Sequence, residues 1–299
     1  MSSEPGGLRV VILGTATPGG GFPVYGQAVA DAINAADPSL RVETRHTSGS
    51  TENVPLLEAD QLDIGLVQGE VAHEALRGIG RTPAALRIVS AMYGTPGAFV
   101  VRGDSPYRTI DDLRGRRVAW GARGSGLVVL ARYVLDGLGL DRDRDFEGTF
   151  LDRAGDGPAM VLDGRVAALW GGGAGWPGFT AVANGPNGAR FLAPDADGLR
   201  SIQAKHAFLR PMAIPARSYP GQDAPIASVG SWSFILAAPN LSDDVAYRLA
   251  RALHRAEGDL GRRLPQASET TAVNTASAAP RDLIHPGVLR YLREIGCAR

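Results

Sequence analysis

Residues 8–21 read Leu8-Arg9-Val10-Val11-Ile12-Leu13-Gly14-Thr15-Ala16-Thr17-Pro18-Gly19-Gly20-Gly21, and this run decides the architecture. Leu8 to Leu13 is a short, β-branched apolar stretch stopped by Gly14, the pattern of a buried strand. A glycine-rich loop follows. Beyond it Val24, Ala28, Val29, Ala32, Ile33 and Ala36 recur at the spacing of one helix face. Strand, glycine loop and helix in that order make the opening unit of an α/β sheet.

The same grammar continues outward. Arg41–Arg45, Asp63–Val67 and Leu86–Met92 read as strands, and Ser50 is placed to cap a helix with Pro55 near its first turn. In the middle, Arg116–Trp120, Phe146–Leu151 and Val166–Trp170 are strands, Ala154–Leu162 is a helix, and Ser125 caps a helix carrying Leu127, Leu130, Ala131, Val134, Leu135 and Leu138. Later, Ser242 caps an amphipathic helix with Val245, Leu249, Ala252, Leu253 and Ala256, and Glu269–Pro280 reads as loop or weak helix. Alternation of this kind predicts largely parallel sheets. Two tandem α/β domains would satisfy it. So would one lobe built from both chain ends with a second inserted, crossed at Gly97–Arg102 and Ser228–Ala237.

Composition narrows the function. The 299 residues carry 31 basic and 31 acidic side chains, so no general field favours nucleic acid or anionic lipid. With 44% hydrophobic residues the chain can fill two cores. Cys297 is the only cysteine, so no internal disulfide forms. No window approaches the ~18 apolar residues of a membrane span. The start, Met1-Ser2-Ser3-Glu4-Pro5-Gly6-Gly7, has neither the basic region nor the apolar run of a secretion signal. The expectation is a cytosolic protein or one whose leader has been removed.

Three polar, glycine-rich loops fall at the carboxyl ends of strands, where open α/β sheets bind ligands: Gly14–Gly21, Thr47–Asn53 and Gly121–Gly126. Glycines let main-chain N–H groups turn to a ligand, and the following helix start favours an anion. Neither phosphate-loop nor dinucleotide patterns are met, since no Gly-Lys-Ser/Thr follows and the third glycine is missing. Trp120, Trp170 and Trp176 sit at strand ends or adjoining loops and could wall a ligand or fill a core. Catalysis finds little footing. His46, His73, His206, His254 and His285 have no metal-ligand spacing, Cys297 has no neighbouring histidine, and Gly-x-Ser-x-Gly is absent. No metal and no cofactor is expected.

Several of these segments, in order, resemble the TAXI-type solute receptors of tripartite ATP-independent periplasmic (TRAP) transporters. They are Gly14-Thr15 with Tyr25-Gly26, Ser48–Asn53, Leu62–Gln68, Asp111–Val118, Gly124-Ser125-Gly126 and Leu283–Gly287 with Tyr291 and Glu294-Ile295-Gly296. The resemblance implies the type II periplasmic binding-protein fold: two lobes joined by hinge strands, one from 1–100 and 228–299, the other from 101–227. It implies a periplasmic monomer that binds a small carboxylate or amino acid and hands it to a membrane permease. Matched residue by residue, the ligand-binding candidates are Thr15, Tyr25, Ser48, Ser50, Asn53, Gln68, Gly124 and Ser125, to which the residue chemistry adds Trp120, Trp170 and Trp176. Arg123 is the candidate ion-pair partner. Pro18, Phe22-Pro23, Gln68-Gly69-Glu70 and the tryptophan-bracketed glycines depart from the family pattern and point to a ligand bulkier or more apolar than glutamate. A sensory module of the same fold is the alternative reading, and an enzyme the third.

Overall fold

The computed structural model describes residues 8–298. Its elements, in chain order, begin β1 Arg9–Gly14, α1 Gly21–Ala36, β2 Leu40–Arg45, α2 Ser50–Glu58, β3 Ile64–Val67, α3 Gly69–Arg77 and β4 Arg87–Gly94. Then come β5 Gly97–Arg102, β6 Arg117–Ala122, α4 Gly126–Gly137, α5 Arg142–Asp145, β7 Glu147–Leu151, α6 Gly157–Leu162, β8 Ala168–Gly172, α7 Pro177–Ala183, β9 Ala189–Leu192 and α8 Ala196–Lys205. The chain ends with β10 Arg210–Ile214, β11 Ile226–Gly230, β12 Trp232–Ala237, α9 Asp243–Arg263, α10 Ala272–Ala278 and α11 Pro286–Glu294.

These strands form two five-stranded sheets, ordered β2-β1-β3-β12-β4 and β7-β6-β8-β5-β9, plus a ribbon of β10 and β11. Both sheets are mixed, where sequence alternation predicted largely parallel ones. In the first, β12 runs antiparallel to β3 and β4; in the second, β5 runs antiparallel to β8 and β9. The reason is the crossing. The chain leaves the first sheet at Thr95-Pro96 and returns at Ser231, and each passage delivers a strand running against its neighbours. Gly97–Arg102, expected as a crossing, is an inner strand of the second sheet. The fold remains α/β.

Helices cover the first sheet with one continuous core, while the second sheet has a separate core on each face. Helix α1 buries Tyr25, Val29 and Ile33 at helical spacing, whereas Val24, expected inside, is half exposed. Ser242 caps α9 as predicted, its hydroxyl accepting from Val245 N. Asp37, at the end of α1, takes Arg248 and Arg251 from α9 at 3.4 and 3.2 Å and binds these helices together. Ser50 does not cap α2. Gly49 occupies that position, and the Ser50 hydroxyl instead accepts from Gln68 N at 3.0 Å. Pro55 lies inside the helix with its ring exposed. Among the described residues no helix is long and apolar enough to cross a membrane.

Asn53 knits the first sheet where it matters most. Its Nδ2 donates to the carbonyls of Thr15 and Leu66, each at 2.8 Å, and so fastens α2 to the ends of β1 and β3. The residue is fully buried, so losing the amide strands two carbonyls away from water. Asn53→Ala is expected to lower the free energy of unfolding by about 2–4 kcal/mol in urea denaturation. A loss below about 1 kcal/mol would show that the amide is not structural.

Candidate functional site

The carboxyl ends of β1, β3, β6 and β8 point at one cavity between the two sheets. Its walls come from the loop before α1 (Ala16, Thr17, Gly20, with Gly21 and Phe22 of the helix itself), from Ser48–Ser50 before α2, and from Gln68 before α3. The second sheet contributes Gly121, Ala122, Ser125–Leu127, Ala154, Gly172, Gly173 and Trp176; Tyr93 and Thr95 come from the crossing, and Gln266 from the segment after α9. The space open to the centre of a water molecule is about 60 Å³.

What closes the cavity is main chain against main chain. Thr51 N and Thr51 Oγ1 both donate to the Gly124 carbonyl, at 3.2 and 3.1 Å. A Cβ on Gly49 would lie 2.7 Å from that carbonyl oxygen, and one on Gly124 would lie 2.6 Å from the Ser48 oxygen. Gly49 also has a φ of 124°, a conformation that favours glycine. A second bridge runs from Ala154 N to Thr17 Oγ1 at 3.2 Å. Farther out, Tyr133 OH donates to Glu74 at 2.7 Å, and Arg132 pairs with the same carboxylate.

Among the described residues the lining contains no Asp, Glu, Lys, Arg, His or Cys. Its polar groups are neutral hydroxyls, amides and helix starts. Ser125 caps α4, its Oγ accepting from Leu127 N. The Ser48 hydroxyl donates to Glu52 at 2.6 Å, and that bond with its main-chain companion holds the Glu52 carboxyl below its usual range, which leaves it a weak base. Tyr93 is 7% exposed and touches the cavity; among the described residues its hydroxyl has no hydrogen-bond partner. Burial drives its ionisation far upward, so it stays a neutral donor.

A family model with the description NMT1-like family matches residues 13–296. The chain belongs to the NMT1-like family. Similar solved structures have the type II periplasmic binding-protein fold. The alkanesulfonate-binding protein SsuA from Xanthomonas axonopodis pv. citri, bound to MOPS, is 20% identical over 98% of this chain and 85% of its own, with a TM-score of 0.56. The periplasmic aliphatic sulphonate binding protein SsuA from Escherichia coli is 18% identical over 96% and 90%, with a TM-score of 0.51. A TctC solute binding protein from Polaromonas is 16% identical over 98% and 99%, with a TM-score of 0.51. At these identities the likeness speaks for the fold alone.

In this NMT1-like chain the residues singled out from sequence divide sharply. Ser48, Ser50, Gln68, Ser125 and Trp176 line the cavity, and Gly124 forms its closing contact. The others are structural. Thr15 and Asn53 fasten the first sheet. Tyr25 is buried, with its hydroxyl 2.9 Å from Thr270 Oγ1 and its ring edge-on to Tyr93. Trp120 lies in the core between Phe99 and Phe146, and Trp170 packs edge-on to Phe99 with its Nε1 on the Leu127 carbonyl. Arg123 is exposed and stacks over Phe150 at 4.9 Å, away from the lining. Strand pleating sends those two indoles to the helix-covered face, which residue type alone does not reveal.

Four lining residues carry side-chain chemistry that sequence reasoning missed: Thr17, Tyr93, Thr95 and Gln266. Tyr93 had a usable signal, a polar aromatic at the carboxyl end of a strand beside Gly94. Gln266 had none, because a distant part of the chain brings it there. Trp176 is held by its surroundings. Its ring sits where a Cβ on Gly171 or Gly178 would lie 2.5 or 2.4 Å away. Tyr219 clasps the loop before it, accepting from Trp176 N at 2.9 Å and donating to the Gly173 carbonyl at 2.6 Å.

Behind Gln68 lies an unusual group. Glu70 is fully buried, with Oε1 receiving the Ser231 hydroxyl at 2.6 Å and the Gln68 side chain beside it. Burial pushes its carboxyl from the ordinary 4.5 up to about 7, against the opposing bond from Ser231. Between those values the folded chain keeps a proton that the unfolded chain releases, so stability falls as pH rises through the window. Glu70→Gln should match the parent near pH 4.5 and exceed it above pH 7, by up to about 3 kcal/mol. Unfolding curves for both proteins at the two pH values check this; a variant equally or less stable at pH 8 would contradict it.

Proposed function

We propose that this chain is an extracytoplasmic solute-binding protein that captures a small organic solute with an anionic group and delivers it to a membrane transporter. The observation that carries the reading is the cavity: lined at the strand carboxyl ends of both sheets and bridged by hydrogen bonds that reach from one sheet to the other. The fold shared with periplasmic binding proteins supports it. So does the lining, where the serine hydroxyls have no strong base beside them and the polar groups suit holding rather than transforming a solute.

In this reading the sheets are two lobes, 1–100 with 228–299 and 101–227, working as a periplasmic monomer. The passages at Thr95-Pro96 and Ser231 are the hinge, since closure needs only a few φ/ψ changes at such places. They are coupled: Thr95 N donates to Ser231 O at 3.2 Å, and a Cβ on Gly230 would lie 2.2 Å from the Thr95 oxygen. The partner we assign is the permease of a TRAP-type transporter, on the motif resemblance set out above.

A broad library of small organic acids, sulfonates and amino acids, screened by thermal shift, tests the reading. A true solute held at roughly 100 times its Kd should raise the Tm by about 5 °C or more. It should also shrink the radius of gyration in solution scattering as the lobes close. A library without a ligand, or conversion of a bound acid to product, would refute it.

A further inference from the structure

Four helices of nine or more residues begin at the cavity, and they are not equivalent. Each long helix end carries roughly half a positive charge. Helix α2 has Glu52 in its first turn and α3 has Glu70, whose buried carboxyl ionises only above about 7, so above that pH both ends carry an ionised acid of their own. Helices α1, of 16 residues, and α4, of 12, have no acid in their first turns. Their ends therefore supply about one uncompensated positive charge between them. Gly21, Phe22, Gly126 and Leu127, the first residues of these two helices, all line the cavity. Helix starts of this kind leave N–H groups without partners in the helix.

A second and independent feature points the same way. The Tyr93 side chain is largely buried and lines the cavity, and among the described residues its hydroxyl has no hydrogen-bond partner. A Cβ on Gly21 would lie 3.9 Å from that oxygen, so the phenol stands beside the start of α1. Desolvation keeps it protonated, so its O–H is free to donate to an anion. Among the described residues no carboxylate lines the cavity to receive an ammonium group. Glu52 is engaged by Ser48, and Glu70 by Ser231.

Resting on the solute-binding reading, we propose that the solute is a singly charged organic anion without an ammonium group. Its head lies at the starts of α1 and α4 and accepts from Tyr93, and its tail meets Trp176 and Phe22. A second negative charge would find no other long helix start free of an acid, and an ammonium group would be buried without a counter-ion. Carboxylate and sulfonate heads share this chemistry.

Calorimetry on the full chain at pH 7.5 with a size-matched panel decides the matter. The panel is butyrate and propanesulfonate as monoanions, succinate as the dianion, 4-aminobutyrate as the zwitterion and butyramide as the neutral form. One of the monoanions should bind roughly tenfold or more tighter than the other three classes; which one it is names the head group. A tighter dianion, zwitterion or amide overturns the charge assignment while leaving solute capture standing. So does a silent panel alongside a hit of another charge class in the broad library. If both are silent, solute capture falls too.

Two variants locate the charge. Aspartate and asparagine cap helices as well as serine does, so both substitutions at Ser125 should fold. Ser125→Asp places a carboxylate at the start of α4 and should weaken the monoanion about a hundredfold, whereas Ser125→Asn should stay within a few fold. Tyr93→Phe should lose about tenfold in affinity with no loss of Tm, since the hydroxyl has no partner in the protein. Equal binding by Ser125→Asp, or a Tyr93→Phe variant that loses stability and keeps affinity, overturns the proposal.

Discussion

The Gly124 carbonyl receives two bonds from Thr51, and the architecture around the cavity depends on that main-chain contact. Where side chains meet, two surfaces can adjust by changing rotamers. Here the approach is set by backbone, because Gly49 and Gly124 stand where any Cβ would collide. A similar close approach brings Gly19 to Gly155, where a Cβ on Gly19 would lie 2.5 Å from the facing Cα. The sheets therefore meet at positions defined to a few tenths of an ångström, and the cavity inherits its size from them. The same closeness aligns the starts of α2 and α4, which belong to different sheets, toward one small volume.

Electrostatics in this volume comes from fixed dipoles rather than charged side chains. Lysine or arginine at the site would bring a mobile charge and a desolvation penalty. Helix starts are already ordered, and their N–H groups need no rearrangement to meet a ligand. The acids at α2 and α3 subdivide the field. Glu52 is held ionised by Ser48, and Glu70 is buried far enough that its proton stays on into the neutral range. Glu70 also joins the cavity wall to the returning passage through Ser231, so ionisation there acts on the segment that links the sheets.

The sequence made the strand–loop–helix units legible because each pairs a short apolar run with a glycine stop and a periodic face. The loops before α1, α2 and α4 were read in the right places for the same reason. Sheet direction was not legible: β5 and β12 look like any other buried strand, and only the crossings reverse them. The elements from α7 to β10 were missed, since β9 and β10 have only four and five residues and Ala196–Lys205 carries just Leu199 and Ile202 as large apolar residues. Within the site, polarity misled for Thr15 and Asn53, which serve carbonyls of the sheet, and Ser50 caps nothing. Trp120 and Trp170 show the limit most plainly, because an indole at a strand end can face either layer. The motif resemblance led to the right fold, and residues 13–296 match the NMT1-like family.

The socket of Trp176 has an evolutionary consequence. That indole is seated by atoms that are absent at Gly171 and Gly178, while the N–H groups at the helix starts belong to the peptide unit and persist under any substitution except proline. A descendant lineage can thus refashion the chamber through small changes at the glycines, at Phe22 or at the indole. Its appetite for charge would persist through that drift. Within such a lineage, divergence should appear first in the length and shape of the molecules accepted, and only later in their charge.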